Sequence, residues 1–364
     1  MNLHEILNKK EKLTKEELLF LMNLSDPQGL EKLYAAAYEV KAEYVKKKAY
    51  YRGLIEFSNR CIKDCFYCGI RKSNMDVERF DMTQEEILKM AQWAYDNNYG
   101  SVTLQSGERT DPEFVDFVTD TLIKIKAIGD GKLGVTLCLG EQSRETYEKW
   151  YAVCPHRYLL RIETTNPRLY EKIHPDTNLH RLETRVNCIQ ILKEVGFQVG
   201  TGVMIGLPDQ TALDLVNDIL FFEEMDIDMI GMGPYVVHKD TPLGASAIAQ
   251  GLDTEEVRAK RFELGLKMIA ITRLYLKDVN IAATTALQAL NPLGREMGLK
   301  AGGNILMPII TIEEHRAKYQ LYDNKPCIDD SPEKCKGCLT GRVMSVGDEV
   351  GFGEWGDSPH FKGK

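Results

Sequence analysis

Gly53-Leu54-Ile55-Glu56-Phe57-Ser58-Asn59-Arg60-Cys61-Ile62-Lys63-Asp64-Cys65-Phe66-Tyr67-Cys68 organises this chain. Gly53–Ser58 is short and mostly apolar, as a buried strand is. Three cysteines follow at C-x3-C-x2-C. Thiolates this close can take one face of an iron–sulfur cube, and three protein ligands leave the fourth iron open. An open iron can chelate a small molecule through an amino group and a carboxylate. S-adenosylmethionine carries both. One electron from a 4Fe–4S cluster can then break its C5′–S bond and release a 5′-deoxyadenosyl radical.

Two other readings are weaker. Structural zinc takes four ligands, and no fourth Cys or His stands near the triplet. Disulfides belong to oxidising compartments, and nine cysteines without a secretory signal argue against them. Bulk properties exclude further classes. A net charge of −8 gives no nucleic-acid footprint. Met1–Lys12 lacks an uninterrupted apolar core, and no run of about 18 apolar residues follows. The expectation is a cytoplasmic protein of a low-oxygen setting.

Outward from the cysteine loop, strand and helix alternate. Strands are expected at Gly53–Ser58, Ser101–Gln105, Gly134–Leu139, Arg157–Glu163, Gln198–Ile205, Met229–Gly233, Ile281–Thr285 and Asn304–Met307. Helices are expected at Gln84–Asn97, Pro112–Ala127, Arg144–Ala152, Leu182–Val195, Ala212–Met225, Thr254–Leu276 and Leu287–Leu299. Eight such units predict an α/β fold, a (β/α)8 TIM-type barrel, rather than an open sheet, since no glycine-rich dinucleotide fingerprint follows the first strand. Residues 1–48 read as a helical extension, with Thr14 and Glu17 spaced as a capping box. The barrel is expected over 49–310, and 311–364 as a C-terminal segment.

In such a barrel chemistry gathers at the C-terminal strand ends. The cysteine loop is placed accordingly. Strand two ends Gln105-Ser106-Gly107-Glu108, a small turn suited to an ammonium group or else an ordinary turn with Glu108 in water. Strand four carries Arg161 and Glu163 on one face. Two charges there imply a polar cavity or an internal salt bridge. Arg185 opens the next helical region, free to pair with a carboxylate or to lie on the surface. Strand five, Gly200-Thr201-Gly202, offers bare backbone for a flat ring or for tight packing. The tail places Cys327, Cys335 and Cys338 at C-x7-C-x2-C in a polar, surface-type segment. These are ligands for an auxiliary cluster (2Fe–2S or 4Fe–4S), a partial zinc site, or unused thiols. Cys138, Cys154 and Cys188 read as small core residues.

Assembled, these stretches resemble the radical S-adenosylmethionine superfamily, and within it the HydE family of FeFe-hydrogenase maturases. The carrying segments are IEFSNRCIKDCFYCGIR, VTLQSGE, VTLCLGE, RYLLRIETTNP, VMIGLPDQT, IGMGPYVVHKDTPL, NIAATTA and AGGNILMP, with the tail triplet. Biotin synthase and methylornithine synthase share the barrel and the loop. The resemblance implies Cys61, Cys65 and Cys68 on the 4Fe–4S cluster. It implies Ser106, Glu163 and Arg185 on S-adenosylmethionine, beside the aromatic Tyr67 that is typical ahead of the third cysteine. It further implies Gln105, Thr136, Arg161, Met232, Thr284, Thr285, Met307 and Tyr322 around a substrate. The implied substrate is a small organometallic iron precursor carrying carbonyl, cyanide and cysteine, handled with partner maturases and a reductant protein. Neither nucleic acid nor membrane is an expected partner.

The chain departs from the family pattern at His174, where arginine is usual, in a longer Glu163–Arg185 segment, and after Glu108. Two alternatives therefore stay open: a radical enzyme of amino-acid or sulfur-compound biosynthesis, and a non-catalytic carrier of an iron fragment.

Overall fold

The computed structural model describes residues 1–364. Eight parallel strands close around one axis: β1 (Lys48–Ser58), β2 (Ser101–Ser106), β3 (Gly134–Cys138), β4 (Arg157–Leu159), β5 (Gln198–Thr201), β6 (Met229–Ile230), β7 (Asn280–Ile281) and β8 (Ile305–Leu306). Parallel ladders join β1 through β7 in chain order. β8 returns to β1 through Tyr50↔Ile305 and Tyr51↔Leu306. The seam between β7 and β8 is one bridge, Ala282↔Ile305. The fold is the expected (β/α)8 TIM-type barrel.

Strand alternation divides the side chains. Tyr51, Ile55, Phe57, Val102, Leu104, Val135 and Leu137 join the apolar core shared with the helices. Glu56, Gln105 and Arg161 face the barrel cavity. Helix starts follow the local chemistry: Thr83 and Glu86 form a capping box ahead of Gln84–Asp96, and Thr211 pairs with Asp214 in the same way ahead of Ala212–Glu224.

Several strands end earlier than their patterns predict. The β4 ladder ends at Leu159 and resumes only as one bridge, Glu163↔Val203, where Glu163 has φ 68°, in the left-handed region. Gly202 brings the end of β5 against the β6 backbone: a Cβ there would lie 2.2 Å from the Gly231 carbonyl oxygen. Close packing, one of the two readings for this glycine-rich strand, therefore applies at Gly202. Beyond it Met204–Ile205 pairs with Gly233–Pro234 as a separate two-stranded rim. Thr284 and Thr285 were expected in a strand, but Thr285 already opens a helix. The helix expected at Leu287–Leu299 is two, Thr285–Leu290 and Gly294–Lys300, separated at Asn291-Pro292 where proline lacks an N–H.

The N-terminal helices Leu3–Leu7, Lys15–Met22 and Pro27–Tyr44 are no loose prefix. Leu18, Leu21, Leu33 and Ala37 are fully buried in the same core as the barrel. Buried Lys41 is tied to Asp348 of the tail. The tail also continues the sheet, pairing Glu349 and Val350 with Lys48 and Ala49.

Residues Trp355–Ser358 then seal the N-terminal end of the barrel. Asp357 accepts from Arg157 Nη2 at 2.6 Å and meets His156 Nε2 at 2.9 Å. Asn280 donates to the Gly356 carbonyl at 2.8 Å. His156 Nδ1 accepts from the Val135 N–H at 2.9 Å, so the ring is neutral and donates through Nε2. Burial first, then the Arg157 charge, lowers its pKa from 6.5 to about 4. The unfolded chain takes up this proton near 6.5, the folded chain only near 4. Stability is therefore full above pH 6.5 and falls as pH drops, by about 1.4 kcal/mol per unit for one proton. Denaturant melts at about pH 7.5 and about pH 5 should show this loss, and His156→Gln should flatten it. Equal slopes in both proteins would refute the assignment.

Candidate active site

The cysteine loop leaves the C-terminal end of β1 and is clamped from three sides. Arg79 donates to the carbonyls of Asn59, Ile70, Arg71 and Asn74 at 2.6–3.1 Å. Asn74 Nδ2 donates to the Gly69 carbonyl at 2.6 Å. A Cβ on Gly69 would lie 2.1 Å from the Gln320 carbonyl oxygen, and one on Gly107 2.2 Å from that of Arg60. Only glycine lets the loop seat there.

The three thiols stand together on one loop at the end of β1. Cys65 is buried and Cys61 and Cys68 are half-buried. Burial, then the neighbouring Cys65 and Cys61, pushes the Cys68 thiol up, and Cys65 is raised to about 12 chiefly by burial. The Glu108 N–H lies 3.3 Å from Cys61 Sγ, as a donor to a thiolate does. A cube takes one thiolate on each of three separate irons. The donor set fits a 4Fe–4S cluster.

Beside the thiols lies a buried charge quartet. Lys63 Nζ stands 2.8 Å from Glu141 and 3.2 Å from Glu108. Arg185 Nε donates to Glu141 at 2.6 Å, and its Nη1 to the Arg161 carbonyl at 3.1 Å. Glu108 also accepts from the Glu141 N–H at 2.9 Å. All four side chains are more than nine-tenths buried. Two cations and two carboxylates balance. Burial and then Glu141 push the Glu108 carboxyl up. Burial also opposes ionisation of Glu141, but Arg185 and Lys63 outweigh it and hold that carboxyl down. Arg185 thus takes the carboxylate-paired alternative, and Glu108 is not in water.

Arg161 and Glu163 form an ion pair at 2.9 Å on the rim of a cavity of about 230 Å³ at the open end of the barrel. Arg161 also donates to the Val203 carbonyl at 3.1 Å. A carboxylate at positive φ is a strained arrangement, and strain of this kind gathers at functional sites. Tyr67 and Cys68 bring the cysteine loop to the same wall, with Gln105, Thr284, Thr285, Met307 and Tyr322. His174 backs Tyr67 edge-on, 5.4 Å between ring centres, and burial lowers its pKa to about 3, so it stays neutral.

Other expected residues stand elsewhere. Ser106 is buried with its hydroxyl on the Gly107 carbonyl at 2.7 Å. Arg185 sits behind the wall in the quartet. Thr136 is buried beneath the cavity, its hydroxyl without a partner. Met232 points into the apolar core, because Gly233 next to it faces the cavity. The tail triplet is not all on the surface: Cys335 is 3% exposed, Cys327 half-buried, and only Cys338 open. Cys154 and Cys188 are core residues as read, whereas Cys138 is half-buried near Arg161 and Glu163.

Sequence reading missed Lys63, Glu141, Arg79 and the fully buried pair Glu56–Lys325, whose nitrogen lies 2.6 Å from the carboxylate. Glu56 was findable: a charge inside an apolar strand, on the face that alternation turns inward. Lys325 comes from the tail and left no local signal.

The profile of the Radical SAM superfamily matches residues 55–222. A barrel with this cysteine loop at its first strand end is that of a radical S-adenosylmethionine enzyme. The "[FeFe] hydrogenase maturase subunit HydE" of Thermotoga maritima is 42% identical over 355 residues, 97% of this chain and 96% of that one. The chain belongs to the HydE family. The 3-methylornithine synthase of Methanosarcina barkeri is 26% identical over 85% of this chain and 83% of its own. Among solved structures, methylornithine synthase superposes with TM-score 0.78 at 21% identity over 96% and 97% of the two chains. The hydrogenase maturase HydG gives 0.74 at 19% identity over 96% of this chain and 74% of its own. At these identities the two structures share the fold. No helix is long and apolar enough to cross a membrane.

Proposed function

We propose that the chain cleaves S-adenosylmethionine reductively in the assembly of the FeFe-hydrogenase active-site cluster. A single cavity, walled jointly by the cysteine loop and the Arg161–Glu163 pair, carries the reading. Cys61, Cys65 and Cys68 would hold the 4Fe–4S cluster. When bound, cluster and cofactor together supply the 5′-deoxyadenosyl radical. Glu163 offers a carboxylate to the ribose or ammonium of S-adenosylmethionine, with Ser106 at the adjoining turn. Arg185 fixes the Arg161 backbone from behind, and Tyr67 packs where the loop meets the cavity. Gln105, Arg161, Thr284, Thr285, Met307 and Tyr322 are left to meet a small substrate, with Thr136 below them and Met232 shaping the wall from outside.

That substrate is read as a small iron species delivered with partner maturases, with electrons from a reductant protein. The tail cysteines Cys327, Cys335 and Cys338 are read as ligands of a second iron–sulfur cluster. Anaerobic reconstitution with iron and sulfide tests the core of this reading. Adding S-adenosylmethionine and dithionite should yield 5′-deoxyadenosine and change the EPR signal of the reduced cluster. Glu163→Gln should weaken S-adenosylmethionine binding roughly tenfold, the loss of a charge-assisted contact. A cluster indifferent to the cofactor, without 5′-deoxyadenosine, would leave only the carrier reading.

A further inference from the structure

Glu163 holds its turn at φ 68°, and strain of that kind persists only where the surroundings over-determine it. The sheet supplies part of the constraint. The Glu163 N–H donates to the Gly202 carbonyl at 3.0 Å, and the Met204 N–H donates to the Glu163 carbonyl at 2.9 Å. The rest comes from helix Ala212–Glu224 on the outside of the barrel. Asp218 Oδ1 accepts from the Thr165 N–H at 2.8 Å and from the Thr165 hydroxyl at 2.6 Å. One turn earlier on the same helix face, Asp214 accepts from Asn166 Nδ2 at 2.7 Å. Two carboxylates thus grip consecutive residues just beyond Glu163 and Thr164.

Asp218 is unlike the other buried carboxylates. Glu56, Glu108, Glu141, Glu163, Asp228 and Asp348 each face a lysine or an arginine. Asp218 is 0% exposed, and the charge that acts on it is Asp214, of like sign. Its Oδ2 is buried without a partner. A buried carboxyl with no cation is costly, and burial pushes this one up to about 7. A proton, when bound, sits on the free Oδ2, so Oδ1 accepts both bonds in either state. An apolar residue here would remove the cost and with it both bonds to Thr165. Those bonds fix the backbone two residues from Glu163.

We infer that Asp218 is a positioning residue for Glu163: through Thr165 it locks the turn that presents the Glu163 carboxylate to the cavity. The inference rests on the reading of Glu163 as a contact of S-adenosylmethionine. Arg161 restrains the Glu163 side chain from the cavity, at 2.9 Å, and Asp218 restrains its backbone from the outer helix. A contact group whose support is loosened drifts from its working geometry and loses affinity, even when the change is remote from the ligand.

The test uses the full chain, reconstituted anaerobically with iron and sulfide. Equilibrium dialysis without reductant gives the dissociation constant of S-adenosylmethionine, and a thermal melt of the metal-free protein gives stability. Two results are read first. If the parent does not bind S-adenosylmethionine, or if Glu163→Gln binds it as tightly as the parent, the reading of Glu163 fails and the inference falls with it. With both in place, Asp218→Ala should bind S-adenosylmethionine roughly tenfold more weakly at unchanged iron per chain. Asp218→Asn keeps Oδ1 and sets its amide nitrogen at the free Oδ2, and should recover most of that affinity. Thr165→Val keeps the N–H but not the hydroxyl, and should show a smaller loss. Adding it to Asp218→Ala should cost nothing further, because the two residues act through one contact. Thr165 is half-buried, so this arm stands even where Asp218→Ala folds poorly. A lower melt with unchanged affinity in Asp218→Ala and Thr165→Val would overturn the inference, since that describes a carboxyl that only supports the fold. Asp218→Asn as weak as Asp218→Ala would overturn it too, because acceptance at Oδ1 would then not set the affinity.

Discussion

Cys65→Ala is expected to bring 5′-deoxyadenosine formation down to background. Two thiols cannot hold one face of a 4Fe–4S cube with a single open iron, so the site that would receive S-adenosylmethionine is lost. The fold should survive. Cys65 is 8% exposed and its thiol is protonated in the metal-free protein, its pKa raised to about 12 mainly by burial. Replacing it with alanine removes one buried sulfur, a cost of about 1 kcal/mol. The measurement pairs product analysis after anaerobic reconstitution with a thermal melt of the metal-free protein. Turnover like that of the unmodified chain would sink the radical-cluster reading. A melt that collapses with activity would mean that folding had been tested instead.

Glu141→Ala should have the second largest effect, on stability. Glu141 faces Lys63 at 2.8 Å and Arg185 at 2.6 Å in a site closed to water. Its removal leaves two buried cations against Glu108 alone. Breaking a buried pair by deleting one partner costs about 3–5 kcal/mol, because the abandoned charge cannot be rehydrated. Lys63 stands between Cys61 and Cys65, so the same change should loosen the cysteine loop and reduce iron bound on reconstitution. Urea denaturation of the metal-free protein gives the first number and an iron assay the second. A loss below about 1 kcal/mol would mean that water reaches the quartet, as for an ordinary surface pair.

Much of this protein is legible along the chain because its signals are local. The cysteine spacing lies within eight residues, 61–68. The barrel shows as period-two and period-3.6 segments in alternation, each set by burial of a strand face or helix stripe. The pair Arg161 and Glu163 shows because two residues apart on a strand means one face, and the ion pair at 2.9 Å is where that argument places it. Thr14 with Glu17, and Asp26 before Pro27, cap their helices as such residues do.

Strand ends were less legible. Their length depends on where neighbouring backbones part, as at Gly202 against Gly231, and no residue carries that by itself. Met232 is a separate case: the resemblance set it in the cavity, but strand alternation keeps it with Ile230 in the core and turns Gly233 to the cavity.

The sequence by itself determined the class of chemistry, the barrel and the thiols, since each follows from residues close together in the chain. Only the tertiary structure decided the electrostatics. It set Lys325 of the tail on Glu56 of the first strand, Arg185 and Lys63 on Glu141, and Asp357 on Arg157. The reason is physical. A charge in water is indifferent to a distant partner, whereas a charge taken out of water must be matched within a few ångströms. Chain folding chooses that partner from anywhere in the sequence.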